Sequence, residues 1–239
     1  MLRGILFDFG GVLTYTCWDL RDMSNTIIKT LSEYGIEAPA NFYEIFVQVM
    51  QAAWDRVVKT LLEEKMEVLI SEALYKAKIE PQRNMIDTIM DRILDAPFCI
   101  VRDDAYYTLS TLKKIGMKIA VVSNAPMNFH KRVLDRANLS GFVDEIIVSC
   151  DVGYRKPHPK IYEIALNKLN VNPTDAVFVG DVLEIDILGA RKMGMKTILM
   201  RVPEPAMNDL PVPKLDEDID PDFIIEELSE VVDIIMKLN

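Results

Sequence analysis

One stretch near the N-terminus constrains the fold most strongly, and it reads GILFDFGGVLT from Gly4 to Thr14. The apolar run from Ile5 to Phe7 is typical of a strand that is buried on both faces of a parallel sheet. A carboxylate, Asp8, and a pair of glycines follow this strand. In open α/β sheets the carboxyl edge is where ligands bind, although an aspartate beside glycines is also a common turn residue. The stretch alone leaves both interpretations open.

Composition narrows the possible classes of protein. The chain has 239 residues, half of them hydrophobic, so a large core is expected. Its net charge of −10 makes a nucleic-acid or anionic-membrane partner a poor hypothesis, and an anionic metabolite needs a local cation. Three cysteines without paired spacing favour a reducing compartment. With no signal peptide or membrane span recognised, we predict a soluble cytoplasmic protein, either monomer or homodimer.

The chain after the first strand divides into two patterns. Residues 26–95 show four amphipathic helical stripes, at 27–34, 42–53, 57–74 and 85–94, and no strand signal. Beyond them, strands alternate with helices, which predicts a parallel sheet covered by helices on both faces. We therefore predict an α/β protein with a Rossmann-like core, built from residues 1–15 and 100–239, and a helical bundle inserted at 16–99.

The predicted elements of the core follow from apolar runs and turn residues. The strands are Lys118–Ser123, Glu145–Ser149, Ala176–Gly180, Lys196–Met200 and a short Asp222–Ile225. The helices are Asp104–Ile115, Met127–Ala137, Pro159–Leu169, Glu184–Met193 and Leu228–Leu238. Five prolines among several acids predict a loop over 201–221.

Polar residues stand at the ends of three buried strands, as Asp8, Ser123 and Asp181. A loop carrying Lys156 follows a fourth strand, and in a parallel sheet all four positions meet at one edge. Hard oxygen ligands suit Mg²⁺, a lysine and a hydroxyl can hold phosphate oxygens, and a carboxylate can attack phosphorus. The sequence therefore predicts a magnesium-assisted phosphoryl-transfer site.

The chain resembles the haloacid dehalogenase superfamily, whose members are mostly phosphatases. The resemblance rests on four motifs, which occur in the family's order and each at a predicted strand end. The motifs are FDFGGVLT from Phe7, VSN from Val122, RKPHP from Arg155 and VGDVLEIDILGA from Val179. In this family a helical insertion between the first two motifs forms a cap, so residues 16–99 are expected to be a cap over the active site.

The resemblance implies a Mg²⁺ cofactor and its ligands. Asp8, the main-chain carbonyl of Gly10 and Asp181 would bind the metal, with Asp186 supporting the metal or the lysine. Asp8 would also be the nucleophile that forms an aspartyl-phosphate. The substrate would be a small phosphorylated metabolite.

The resemblance also assigns the groups that hold the phosphoryl group. Ser123 and Lys156 would bind it, with Asn124 beside them, and Lys156 would restrain Asp8 as well. The cap is expected to hinge near residues 14–20 and 95–103.

One position departs from the family's phosphatase pattern. Most of these phosphatases carry an acid–base aspartate two residues after the nucleophile, where this chain has Gly10. Positioned acid–base catalysis is typically worth about 10²–10⁴-fold. A cap acid such as Asp19 or Asp22 could supply the proton, a good leaving group could need none, or turnover could be poor.

The sequence leaves two other functions open. A 2-haloacid dehalogenase attacks carbon with an aspartate and no metal, and the paired acids Asp181 and Asp186 argue against it. A protein that binds phosphate with weak or no turnover would explain Gly10. A phosphomutase is disfavoured, because it needs the acid that Gly10 replaces.

We interpret His130 as a helix-surface residue, His158 as a structural loop residue and Glu184 as a solvated first-turn acid, with a position near the metal as the alternative for Glu184.

Overall fold

The computed structural model describes residues 1–15, 19–96, 99–202 and 220–239 of the chain. The described strands are β1 Gly4–Phe7, β2 Lys118–Ser123, β3 Glu145–Val148, β4 Ala176–Gly180, β5 Lys196–Met200 and β6 Phe223–Ile225. The described α-helices are α1 Leu20–Glu33, α2 Phe42–Thr60, α3 Met66–Lys76, α4 Arg83–Asp95, α5 Ala105–Lys114, α6 His130–Arg136, α7 Ser149–Val152, α8 Pro159–Leu169, α9 Leu188–Lys192 and α10 Glu230–Leu238. Short 3₁₀ turns lie at Ser140–Phe142 and Pro173–Asp175, and a π-helical turn lies at Leu183–Ile187.

The described strands form one sheet in the order β3-β2-β1-β4-β5-β6, and every neighbouring pair is parallel. β1 lies in the middle, with Phe7 opposite both Val121 of β2 and Val179 of β4. The chain extends the sheet on one side of β1 through β2 and β3, and on the other side through β4 to β6. Such a change of direction opens a crevice at the carboxyl ends of the strands. The predicted α/β class and the Rossmann-like parallel sheet are confirmed.

Alternate strand residues pack on opposite faces of the sheet. On one face Leu6 and Phe178 are buried with Tyr162 of α8. On the other face Ile5 and Val177 belong to a larger buried cluster, which includes residues of α5, α10 and the helices between β1 and α5. Because both faces are covered, the strands can be apolar along their whole length, as their sequence requires.

Helices α1 to α4 follow β1 and pack on one another, and together with the loops that join them we call them the four-helix unit. Asp19 caps α1, because its Oδ1 accepts hydrogen bonds from the main-chain N–H groups of Arg21 at 2.7 Å and Asp22 at 3.2 Å. The unit coincides with the predicted helical insertion, while its action as a cap stays a prediction. The expected hinges fall partly, and the loop over 201–221 almost entirely, outside the described residues.

The prediction of a separate helix over 57–74 is wrong. α2 continues through this region to Thr60 and ends at Leu61, which has a left-handed φ of 55°. The carbonyl of Leu61 accepts a hydrogen bond of 2.9 Å from the main-chain N–H of Arg155, and α3 begins only at Met66. Apolar residues are spaced regularly through both helices, so the sequence periodicity does not reveal where α2 ends. The end of α2 is instead set by the contact between Leu61 and Arg155, which are far apart in the sequence.

Other predicted boundaries also differ from the structure. The helices predicted over Asp104–Ile115 and Leu228–Leu238 are Ala105–Lys114 and Glu230–Leu238, and the strand predicted from Asp222 begins at Phe223. The helix predicted from Met127 begins at His130, and the helix predicted from Glu184 is a π-helical turn followed by α9. The third strand ends at Val148 rather than Ser149, because α7 begins at Ser149. None of the helices in the described part of the chain is long and apolar enough to cross a membrane.

Candidate active site

The carboxyl edge of the sheet brings three acids together. Asp8 directly follows β1 and Asp181 directly follows β4, so adjacent parallel strands place them side by side. The main-chain N–H of Asp8 donates to the carbonyl of Val179 at 2.8 Å, which continues the ladder between the two strands to the site itself. Asp8, Asp181 and Asp186 each offer one carboxylate oxygen, and these oxygens lie within 4.8 Å of one another.

Lys156 is buried among these acids. Its Nζ lies 2.6 Å from Asp8 Oδ1 and 2.7 Å from Asp186 Oδ1. Only 3% of the residue is exposed, although a lysine is almost never buried unless it is paired. The two ion pairs give the ammonium group a fixed place beside Asp8.

The carboxylate of Asp186 is already engaged by the protein. Its Oδ2 accepts hydrogen bonds from the main-chain N–H groups of Asp181 at 3.2 Å and Val182 at 3.1 Å, while its Oδ1 faces Lys156. Asp186 therefore shapes the turn that carries Asp181. These contacts fit its expected support of the lysine, and its role at the metal stays a prediction.

Burial and mutual repulsion govern the charges of this cluster. Burial raises the pKa of Asp8 to about 6, although Lys156 acts to lower it. Burial also raises the pKa of Asp181 well above its usual range, and the charges of Asp8 and Asp186 raise it further. Burial acts to lower the pKa of Lys156, but Asp186 and Asp8 outweigh this effect and raise it.

The donor set fits a magnesium ion. Three carboxylates share the site with one ammonium, so up to two negative charges remain to be compensated, and hard oxygen donors are what Mg²⁺ prefers. Asp8 and Asp181 would hold the ion, and a bound dication would lower the pKa of both carboxyl groups. The turn between β1 and Thr14 has room for the Asp181 side chain only because position 11 is a glycine. A Cβ on Gly11 would lie 2.1 Å from Asp181 Oδ2.

Ser123 and Asn124 lie at the end of β2, beside the lysine loop. The Ser123 residue is buried. The Asn124 amide binds the main chain of Lys156 twice, since Oδ1 accepts from its N–H at 2.7 Å and Nδ2 donates to its carbonyl at 2.9 Å. Asn124 thus positions the lysine loop, and its contact with substrate stays a prediction.

A cavity of about 230 Å³ opens beside Lys156, between α2 and the loops of the sheet edge. Its lining combines apolar and charged side chains: Trp54, Val57, Val58, Lys59, Leu61, Asn124, Arg155, Lys156, Pro157, Glu184 and Ile185. Glu184 is a half-buried first-turn acid that lines this cavity, which agrees with the alternative that it lies near the site. Asp19 and Asp22 line a different cavity, between α1 and α4.

His130 is not a surface residue, contrary to the sequence interpretation. It is fully buried, with its ring centroid 4.4 Å from that of Phe129 and 4.5 Å from that of Phe9. A single histidine in a short helix gives no sign of which way it faces. His158 does have a structural role, because its Nδ1 accepts a hydrogen bond from the main-chain N–H of Lys160 and caps α8.

Gly10 follows Phe9 in the turn after β1 and is half-buried. The sequence motifs predicted that Asp8, Lys156 and Asp181 share one site, and the structure brings these residues together. A family model for haloacid dehalogenase-like hydrolases matches residues 2–194. The chain belongs to this family. It is therefore a haloacid dehalogenase-like hydrolase, and its helical unit lies between the family's first and second motifs.

The proteins similar to this hydrolase include named phosphatases and a named dehalogenase. The glyceraldehyde 3-phosphate phosphatase of Methanopyrus kandleri is 26% identical over all of this chain and 99% of its own length. The phosphoglycolate phosphatase of Aquifex aeolicus is 30% identical over 83% of this chain and 84% of its own. Among solved structures, the 2-haloacid dehalogenase from Pseudomonas syringae pv. Tomato DC3000 superposes with a TM-score of 0.74, at 21% identity and with both chains fully covered. The last similarity concerns the fold alone.

Proposed function

We propose that this hydrolase cleaves small phosphomonoesters with the help of Mg²⁺, through an aspartyl-phosphate on Asp8. The observation that carries the proposal is the position of Lys156 Nζ, at 2.6 Å from the Asp8 carboxylate and beside two further acids. A lysine in this place can neutralise phosphoryl oxygens while it orients the nucleophile. The phosphatases among the relatives support the same chemistry.

The reaction needs two displacements at phosphorus. In the first, an oxygen of ionised Asp8 attacks phosphorus, the bond to the ester oxygen breaks, and the leaving alkoxide takes a proton from solvent. In the second, water attacks the phosphorus of the acyl phosphate, which releases inorganic phosphate and restores Asp8. Ser123 and Lys156 would hold the phosphoryl oxygens in both steps. With a pKa of about 6, Asp8 is mostly ionised at neutral pH and can act as the nucleophile.

The metal would bind to Asp8 and Asp181. When bound, Mg²⁺ supplies charge compensation for the phosphoryl oxygens. The Asp186 carboxylate would keep the Asp181 turn in place through its two main-chain hydrogen bonds. The cavity of about 230 Å³ beside Lys156 is smaller than typical drug-sized pockets, which supports a small leaving group.

Metal removal gives the direct test of this function. We expect hydrolysis of p-nitrophenyl phosphate with Mg²⁺ to fall by at least about 10²-fold in EDTA and to return when Mg²⁺ is added in excess. The activated aryl ester needs little proton donation, so the glycine at position 10 should not prevent this reaction. A panel of small phosphorylated metabolites then ranks substrates by kcat/KM.

Other outcomes of the same assay would support other functions. Release of chloride from 2-chloropropionate without metal, together with no hydrolysis of phosphate esters, would identify a dehalogenase. Tight binding of inorganic phosphate with no turnover of any ester would identify a phosphate-binding protein. Either result would refute the phosphatase proposal.

Replacement of Gly11 tests the metal site. The added methyl group of Gly11→Ala would overlap Asp181 Oδ2, so Asp181 must move. We expect the Mg²⁺ concentration that gives half-maximal activity to rise by about 10- to 100-fold. Gly35→Ala is the matched control, because Gly35 has a similar φ of +73° but no atom within 4 Å of the new Cβ. Equal Mg²⁺ dependence in the two variants would contradict the assigned role of Asp181.

A further inference from the structure

The segment between α2 and α3 is bonded to both loops that flank the phosphoryl site. We call residues 61–66, which include the first residue of α3, the docking segment. Its Leu61 carbonyl accepts from Arg155 N–H at 2.9 Å, and its Glu63 N–H donates to the Gly153 carbonyl at 3.0 Å. Met66 N–H donates to the carbonyl of Pro126, in the loop after β2, at 2.9 Å. The four-helix unit is thus tied to the sheet edge by main-chain hydrogen bonds at this point.

A buried ion pair completes this connection. The side chain of Glu63 is only 3% exposed, and its Oε2 accepts a hydrogen bond from Nη1 of Arg155, whose side chain is 7% exposed. The same Oε2 accepts a hydrogen bond from the hydroxyl of Ser149. That hydroxyl in turn accepts a hydrogen bond of 2.8 Å from the main-chain N–H of Ala125, directly after Asn124. One carboxylate oxygen of the four-helix unit therefore connects to both loops.

Arg155 links Glu63 to the catalytic lysine, because Arg155 directly precedes Lys156 in the chain. Arg155 and Lys156 are consecutive, and their side chains go to different partners, one to Glu63 and the other to Asp8 and Asp186. The main chain of Lys156 is also bound on both sides by Asn124. Glu63 therefore contacts the lysine loop directly through Arg155, and it contacts the loop that carries Asn124 indirectly, through the hydroxyl of Ser149.

We propose that Glu63 is a positioning residue, which makes the docked state of the four-helix unit a condition for the active placement of Lys156. This inference rests on the proposed function. It follows from burial and charge: a buried ion pair whose partner is removed leaves an uncompensated charge, and the remaining side chain must move towards water. If Arg155 moves, the adjacent Lys156 loses its fixed main chain, and displacements of about 1 Å near reacting groups cost about 10²-fold in rate.

The test compares two neighbouring glutamates. Glu63→Gln keeps the shape of the side chain and removes the charge that faces Arg155. Glu64→Gln is the matched control, because Glu64 makes its ion pair with Arg56, another residue of the four-helix unit, at 2.6 Å. Each variant is measured for kcat, for KM and for inhibition by inorganic phosphate, at a temperature where circular dichroism shows a folded protein.

We expect Glu63→Gln to lower kcat by about 10- to 100-fold and to weaken inhibition by phosphate, while Glu64→Gln stays within about twofold of the unmodified enzyme. A role in folding alone would lower the melting temperature and leave phosphate inhibition of the folded protein unchanged. Equal kcat and equal phosphate inhibition in the two variants would overturn the inference. Absence of activity in the unmodified enzyme would instead reject the proposed function.

A second variant covers the case in which Glu63→Gln does not fold. Ser149→Ala keeps the Glu63 and Arg155 pair but removes the hydroxyl that joins Glu63 to Ala125. A severalfold loss of phosphate inhibition in the folded Ser149→Ala protein supports the coupling. Inhibition equal to that of the unmodified enzyme refutes it.

Discussion

Asp8→Asn is expected to lower kcat for p-nitrophenyl phosphate by at least about 10³-fold, because an amide cannot form the acyl phosphate. The substitution preserves the size of the side chain and its position after β1. It removes the negative charge opposite Lys156, whose Nζ lies 2.6 Å from Asp8 Oδ1. The measurement is steady-state hydrolysis with saturating Mg²⁺, over a range of enzyme concentrations that can detect the residual rate.

The matched control for Asp8→Asn is Asp19→Asn. Asparagine caps helices as well as aspartate does, so α1 should keep its N-terminal hydrogen bonds. Asp19 lines a cavity between α1 and α4, and Lys156 does not contribute to that cavity. We expect Asp19→Asn to retain kcat within about twofold. A large loss in this control would restore Asp19 as a source of the leaving-group proton, and a fully active Asp8→Asn protein would exclude the aspartyl-phosphate route.

The sequence predicted the central elements of the fold well. The strands from Lys118 to Ser123, from Ala176 to Gly180 and from Lys196 to Met200 have the predicted bounds, as does the helix from Pro159 to Leu169. Each is an apolar run or an amphipathic stripe that ends at a polar residue, a glycine or a proline. Such signals are local, so the sequence carries them without any knowledge of the tertiary structure.

The site was predictable for a related reason. Parallel strands present their carboxyl ends at one edge, so a polar residue at each strand end is enough to predict that Asp8 and Asp181 meet. The predicted lysine lies beside them, with both of the acidic partners, Asp8 and Asp186, that the family resemblance implied for it. The contacts that the sequence missed join distant parts of the chain. Glu63 and Arg155 are 92 residues apart, and nothing near either of them marks the pair.

The burial of His130 belongs to the same class of missed feature, and it leads to a prediction about stability. Burial lowers the pKa of His130 to about 3, and the positive charge of Lys156 contributes. The unfolded chain takes up a proton on this side chain below about pH 6.5, whereas the folded protein does not do so until about pH 3. The folded state is therefore destabilised as the pH falls through this window. The full effect is about 5 kcal/mol, and about 3 kcal/mol of it lies above pH 4.5.

We expect His130→Phe to remove this loss of stability. Phenylalanine keeps an aromatic ring between Phe9 and Phe129, and it removes two buried ring nitrogens that make no hydrogen bond within the described residues. The free energy of unfolding in urea, followed by circular dichroism at pH 7.5, 6.5, 5.5 and 4.5, gives the comparison. The difference between the variant and the unmodified protein should grow by about 3 kcal/mol in favour of the variant as the pH falls to 4.5.

The comparison between variants isolates His130 from the acids of the site. The raised pKa of Asp8 acts in the opposite direction, because the folded state then binds more protons than the unfolded state between about pH 6 and 3.8. This contribution is present in both proteins and cancels in the difference. His158→Asn is the control for the chain's other histidine, and asparagine can still cap α8. If the stability difference between His130→Phe and the unmodified protein does not change with pH, burial does not keep His130 neutral.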